Sequence, residues 1–353
     1  MRSIIILSLL TAVLLDGVQP KTEYRAEREL LIESECTLEM SQVAFEIIRD
    51  GEPMEMRDRG DIGSSETRSV VVRETIQEID KEGAPTQQLR AFESVELSSV
   101  QFMGDDEMAN EREGRLHEVT LALKIEDGET VCEVEDGVEP DEEDALEGHR
   151  LGLGLDFALP TDEVEEGDTW ELDNDSVRAI LGLDVERALF GGSPGRPEGE
   201  EGGRGRGGWR GRGGRRSGGF GTLVQAEWEG EATLEAAEVD LDGVKCCLIA
   251  LSFEASGEYE PPEREWGGRG RGRGGRSLAF GLPHTTRVVG VTYESELEGK
   301  LWFAIEELRP VQLEVEGDVS IITETVREWG ESSMDIYSEM EGEFELSVSI
   351  TEE

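Results

Sequence analysis

From Leu30 onward apolar and polar positions alternate. Leu30, Ile32, Ser34, Cys36, Leu38 and Met40 share one face, and Glu29, Glu33, Glu35, Thr37 and Glu39 the other. A period of two marks a strand with one face buried and one face in water. The alternation recurs over Val70 to Ile79, Leu89 to Phe102 and His117 to Ile125. The Asp127-Gly128 turn then predicts a hairpin into Thr130 to Val134. In the C-terminal half the pattern returns over Leu223 to Val239 and Val244 to Glu260, joined at Asp240 to Gly243. Four more strands are expected at Thr285 to Leu297, Lys300 to Ile305, Val311 to Arg327 and Met334 to Ile350. The expected fold class is mainly β: long, curled antiparallel sheet or sheets, one or two short helices, and two disordered Arg/Gly-rich inserts. Residues 21–353 read as one β-rich domain, with two sub-sheets (21–150 and 151–353) as the alternative.

Asn174 to Phe190 is the helix candidate: Val177, Ile180, Leu181, Val185, Ala188 and Leu189 stand near helical spacing, Asp175 or Ser176 could cap it, and Gly182 weakens it. Such a helix suits the concave face of a curled sheet.

A five-residue pattern repeats within the C-terminal strands, with glycine at its centre: Gly230, Gly257, Gly299, Gly317 and Gly342. Glycine inside a strand marks a bulge or a sharp bend, so these five positions are expected to let the sheet curl.

Between the halves, Leu159-Pro160, Val164 and Gly167-Asp168-Thr169-Trp170 form a stop, a turn and a strand start. This LP-x-x-x-V-x-x-G-D-T-W string resembles one in secreted bacterial β-rich proteins of uncharacterised function. The resemblance implies export and a β-sheet, and brings no functional residues with it.

The N-terminus agrees with export. Arg2 precedes an apolar run from Ile4 to Leu15, a signal-peptide layout assigned to residues 1–20, with an uncleaved N-terminal anchor as the alternative. The expected location is periplasmic, cell-surface or extracellular, and the mature chain has no transmembrane segment. Against 34 basic residues stand 82 acidic ones, so the body repels nucleic acid and anionic membranes. Cys36, Cys132, Cys246 and Cys247 are compatible with an oxidising compartment. A bond between the vicinal pair would need a distorted turn, and Cys36 with Cys132 or with one of the pair is easier to build. Their pairing stays open, as do free thiols. No cofactor or metal is expected, and the acidic stretch Glu133 to Glu147, read as a loop, lacks calcium-loop spacing.

The charge is uneven. Gly191 to Gly221 holds seven arginines against three glutamates, and Glu263 to Ser277 five against two. These tracts carry +4 and +3 of the net −48, leaving −55 for the rest of the chain. Neither can pack a core, and both are expected to be loops leaving the sheet on one side. One reading of the tracts is a passive expanded loop; otherwise their candidate contacts, for a polyanion or for another copy of the chain, are Arg204, Arg206, Trp209, Arg210, Arg212, Arg215, Arg216, Trp266, Arg269, Arg271, Arg273 and Arg276. Arginine pairs with phosphate or carboxylate, and the tryptophans offer stacking faces.

Catalytic signatures lack their context. Gly191-Gly192-Ser193-Pro194-Gly195 spells G-x-S-x-G, but Ser193 follows a helical stretch rather than a strand. His117, His149 and His284 are scattered. The expected function is therefore that of an exported, non-enzymatic binding or structural protein of unknown partner. The alternatives are a hydrolase using carboxylates in a cleft, and polyanion or nucleic-acid binding through the tracts.

Overall fold

A computed structural model describes residues 17–54, 61–140, 143–191, 219–260, 284–329 and 332–352. Thirteen strands occur among them: β1 Glu29–Arg49, β2 Glu52–Pro53, β3 Ile62–Ile79, β4 Pro85–Met103, β5 Asp106–Glu113, β6 Val119–Glu126, β7 Glu129–Asp136, β8 Thr169–Leu172, β9 Trp228–Leu241, β10 Val244–Tyr259, β11 His284–Ala304, β12 Arg309–Trp329 and β13 Ser332–Glu352. They form one antiparallel sheet in the order β7-β6-β4-β3-β1-β13-β12-β11-β10-β9-β8, with β2 on β1 and β5 on β4. β1 lies between β3 and β13, so both halves of the chain share a continuous ladder. The sheet is not closed.

The alternation seen in the sequence decides which face is buried. Leu30, Leu38 and Met40 of β1, Phe344, Leu346 and Ile350 of β13, and Leu313, Val315 and Val319 of β12 all turn inward. The helical segments lie on that inner face: α1 Asn174–Ile180, α2 Glu186–Phe190, α3 Gly219–Leu223 and the 3-10 turns Glu143–Leu146 and Gly154–Ala158. One apolar cluster joins β1 and β9 to β13 with α1 and α3, and a second joins β3, β4 and β6 with α2.

The expected helix over 174–190 is thus two short ones. Gly182, with φ of 69°, interrupts it, and Asp173 caps α1 by accepting the Ser176 N–H at 2.8 Å. The cap falls two positions before the first of the expected ones, because Asp173 keeps extended backbone while Asn174 already begins the helix. The α3 helix shows how far the sheet curls. At one end Gly219 lies against Leu38 of β1, and at the other the Leu223 carbonyl accepts the indole N–H of Trp228 on β9. On a flat sheet β1 and β9 would be about 24 Å apart, five strand spacings. Five helical residues span only about 7.5 Å, so the sheet must wrap around them.

All five repeat glycines lie inside strands with their missing side chains on the inner face. Gly230 faces Phe253, Gly257 faces Tyr293, Gly299 lies between Leu251 and Val315, Gly317 between Leu297 and Phe344, and Gly342 between Met40 and Val319. A Cβ at Gly317 or Gly342 would collide with backbone of the adjoining strand, at Glu296 and Glu39 respectively. The bulges lie elsewhere, as between Gln42 and Ala44 or between Val288 and Gly290. Other expectations shift in detail. The two strands expected over 285–305 are one, His284–Ala304, 129–136 is strand rather than loop beyond Val134, and β5, whose residues are almost all exposed, carries no apolar period to announce it.

Residues 1–16, most of both tracts and Ser193 lie outside the described residues. Gly17 to Pro20, assigned to the leader from sequence, are packed on the body. Val18 exchanges two backbone hydrogen bonds with Val164, at 2.8 and 2.9 Å, and the Gln19 amide donates to the Thr161 carbonyl. No described helix is long and apolar enough to cross a membrane.

Candidate functional site

The side chains opposite the core form the most unusual surface among the described residues. Glu229 of β9, Glu254 of β10, Glu296 of β11, Asp318 of β12, Glu343 of β13 and Glu39 of β1 are consecutive register partners, and all six are exposed. At the spacing of neighbouring strands, six carboxylates stand in a line about 24 Å long. Like charges directly opposite one another destabilise a sheet, so this row is not a device for stability. The next row repeats it with Glu231, Glu298, Glu316 and Glu345. These four line an open depression running across the strands, with Lys300 among them.

The twelve candidate contact residues of the Arg/Gly tracts lie outside the described residues, but the roots of the tracts do not. Phe190 precedes the first tract and Phe220 stands at its C-terminal end, and both rings face one guanidinium, that of Arg68 on β3, with centroids 5.1 and 3.7 Å away. Arg68 also pairs with Glu66 and Glu186, and Arg112 donates to the Phe190 carbonyl at 2.8 Å. Both ends of the first tract are therefore held at one point. The second tract begins where β10 ends. β9 and β10 pair across the turn at Asp240 to Gly243 as the sequence indicated, so Trp228 faces Ala255 near that root.

A second constellation is buried, and sequence reasoning missed it. Glu74 and Arg90 are cross-strand partners on the inner face of β3 and β4, paired at 2.6 Å. Arg90 also donates to the Arg150 carbonyl and to Nδ1 of His149, while His149 Nε2 donates to the Ala145 carbonyl. Burial and the adjacent Arg90 hold the His149 imidazole down at about 4. Nearby, Asp156 accepts from Thr22 and from the Tyr24 hydroxyl, and burial pushes its carboxyl up to about 6. Burial also raises Glu74, and burial followed by the Asp156 carboxylate raises Tyr24. Perturbed groups cluster at active sites, but neither Asp156 nor Glu74 lines the depression beside β7 or the one across the acidic face. These contacts instead fasten the 143–158 segment to the sheet. No spacing signal announces them, because their partners lie about 60 to 130 residues apart.

All four cysteines are free thiols. Cys36 on β1 is four strands from Cys132 on β7 and four from Cys246 and Cys247 on β10, which overturns the expectation that it could pair with either. Burial pushes the Cys36 and Cys247 thiols up to about 12 and Cys132 to about 11. His117 Nδ1 accepts the Val95 N–H at 3.1 Å, a structural bond. Among the described residues no group of three or more metal-binding side chains forms a cation site.

No family model matches the chain, and no curated protein matches it. Among solved structures it is similar to a Pseudomonas aeruginosa FadL homologue, at 7% identity over 92% of this chain and 90% of that one, with a TM-score of 0.19. It is also similar to a mutant Rh. blastica porin, at 8% identity over 92% of this chain and 100% of that one, with a TM-score of 0.15. Likenesses at these TM-scores carry no argument about fold or function.

Proposed function

We propose that this is an exported, non-enzymatic binding protein that joins copies of itself, the Arg/Gly tracts of one copy lying along the carboxylate rows of another. The observation that carries this reading is the unbroken register row Glu229–Glu254–Glu296–Asp318–Glu343–Glu39. A line of charge that works against the stability of its own sheet is explained if a cation covers it. The chain itself contains suitable cations, in tracts carrying +4 and +3. Arginine forms two-pronged hydrogen bonds with carboxylates, and alternating glycine lets a backbone follow a surface closely.

Sedimentation velocity tests this, using the full chain and a variant lacking 192–218 and 261–283. In low salt the full chain should form larger species that dissolve on raising ionic strength, and the variant should stay monomeric. A synthetic peptide of residues 202–216 should bind the variant. A full chain that stays monomeric in low salt, with a peptide that does not bind, removes the proposal. Binding of polyphosphate by a monomeric full chain, but not by the variant, would favour the polyanion reading instead.

A further inference from the structure

The inner face of the sheet runs on past α3. Gly219 of α3 lies against Leu38 and Met40, and beyond that level β1, β13, β12 and β11 continue side by side. Directly opposed residues of antiparallel neighbours share a face, so the next three rows of this wall follow from the register. They carry Met340 and Ile321, then Phe45, then Ile47, Ile336 and Val288. Their polar members are bonded or part apolar: the Ser338 hydroxyl accepts from the Gln42 amide at 2.7 Å, and Thr323 and Thr325 each bring a methyl group. Met340, Phe45, Ile336 and Val288 are half-buried, so the wall is only partly covered.

The row that ends the wall differs in kind, with Arg49, Met334 and Arg327 as consecutive partners. Arg49 leans on Asp50 at 3.8 Å, whereas the Nε of Arg327 is buried with no hydrogen-bond partner. A buried guanidinium donor without an acceptor is a cost that an incoming oxyanion removes. On the other side of β1, the row of Met40 runs through Ser64 and Gln101 to Met108, and Met103 stands one row beyond; these two methionines are 65% and 55% exposed. Five of the six described methionines therefore stand on the inner face at or beyond the level of Met40. Unbranched thioether side chains adapt to a flexible apolar partner.

We propose that this wall binds a straight-chain carboxylate with a long alkyl tail, the tail lying along β13 and the carboxylate on Arg327. The charge of the body selects for such a ligand. At a net −48 the chain repels multiply charged anions, while a single carboxylate needs only one arginine. The length agrees as well, since the six residues from Met340 to Met334 extend about 20 Å along the strand. This site lies on the face opposite the carboxylate rows and does not depend on self-association.

Titration calorimetry of the full chain with dodecanoate, kept below its own aggregation concentration, tests the proposal. Dodecanoate should bind at one site per chain. Hexanoate, too short to cover the wall, and dodecanol, which lacks the charge, should each bind at least about tenfold more weakly. Arg327→Gln should weaken dodecanoate by about tenfold and leave dodecanol unchanged. Met334→Glu, which gives Arg327 a carboxylate of its own, should likewise weaken dodecanoate and serves if Arg327→Gln does not fold. Ile336→Ser should weaken both ligands, and Arg25→Gln, which removes an exposed arginine ahead of β1, should change neither. Absence of dodecanoate binding, equal binding of dodecanol or hexanoate, or native affinity in Arg327→Gln or Ile336→Ser would overturn the proposal. So would binding that appears only when 261–283 is removed, because Leu278, Phe280 and Leu282, just ahead of β11 in sequence, would then be the wall's own occupant.

Discussion

Tyr293 lies over Gly257, its register partner on the neighbouring strand, with its hydroxyl oxygen 2.7 Å from where a glycine Cβ would stand. The same oxygen accepts the Glu227 N–H at 3.2 Å, just ahead of β9. The glycine thus makes room for a ring that ties the chain entering β9 to β11. Gly230 does the same for α1, since a Cβ there would meet Val177 at 2.9 Å and the Phe253 ring at 3.0 Å.

Gly257→Val should therefore destabilise the protein by about 1–3 kcal/mol through overpacking. Gly221→Ala, with open space around it, should be neutral or slightly stabilising. Urea denaturation of the two variants beside the native chain checks both, and an unaffected Gly257→Val would mean the glycine repeat is compositional only.

Because Phe190 and Phe220 meet on one guanidinium, the first tract can be removed with little disturbance. Replacing 192–218 by about four glycine and serine residues should leave the fold intact. Shortening the loop by this factor should add stability of about 1–2 kcal/mol. Arg68→Met, by contrast, removes the cation and leaves Glu186 and Glu66 facing each other, and it should lower the melting temperature clearly. Thermal unfolding of the two variants separates a root that matters from a tract that does not.

The contrast between the strands and the contacts of the 143–158 segment explains what the sequence could reveal. The period-two faces of β1, β4, β10 and β12 are local, so neighbouring residues announce them. The glycine repeat is local five times over, and only the register shows that Gly230 and Gly317 share one row across the sheet while Gly299, Gly342 and Gly257 stand in rows to either side. By contrast, the Glu74–Arg90–His149 anchor joins residues on β3, β4 and a turn, and only the fold brings them together. The carboxylate row falls between these cases. Each carboxylate was legible as a solvent-facing position, but six in one line follows from five antiparallel registers that no single strand encodes.

Val18 and Pro20 make a claim about processing. Val18 is bonded to Val164 through both backbone groups and Pro20 is buried, so removal of residues 1–20 would strip a short bridge from the body. If the N-terminal segment is cleaved, the mature chain is expected to begin at Gly17 or earlier. N-terminal sequencing decides it, and a mature protein starting at Lys21 would show that the bridge forms only before cleavage.

The carboxylate row sets stability against binding, and this gives the most discriminating prediction. Glu296 has Glu254 and Asp318 as direct partners, and Asp318 has Glu296 and Glu343. Neutralising both in Glu296→Gln/Asp318→Asn removes three contiguous like-charge contacts without changing shape. In low salt the melting temperature should rise by about 2–4 °C, given the usual size of such cross-strand repulsions. In high salt, where charges beyond a few ångströms are screened, the gain should largely vanish. Binding of the 202–216 peptide should weaken in the same variant. A surface that serves only for solubility would give the first effect without the second. A variant that is both more stable and equally able to bind the peptide would therefore place the contact elsewhere on the acidic face, whereas loss of binding with a gain in stability ties the tract to this row.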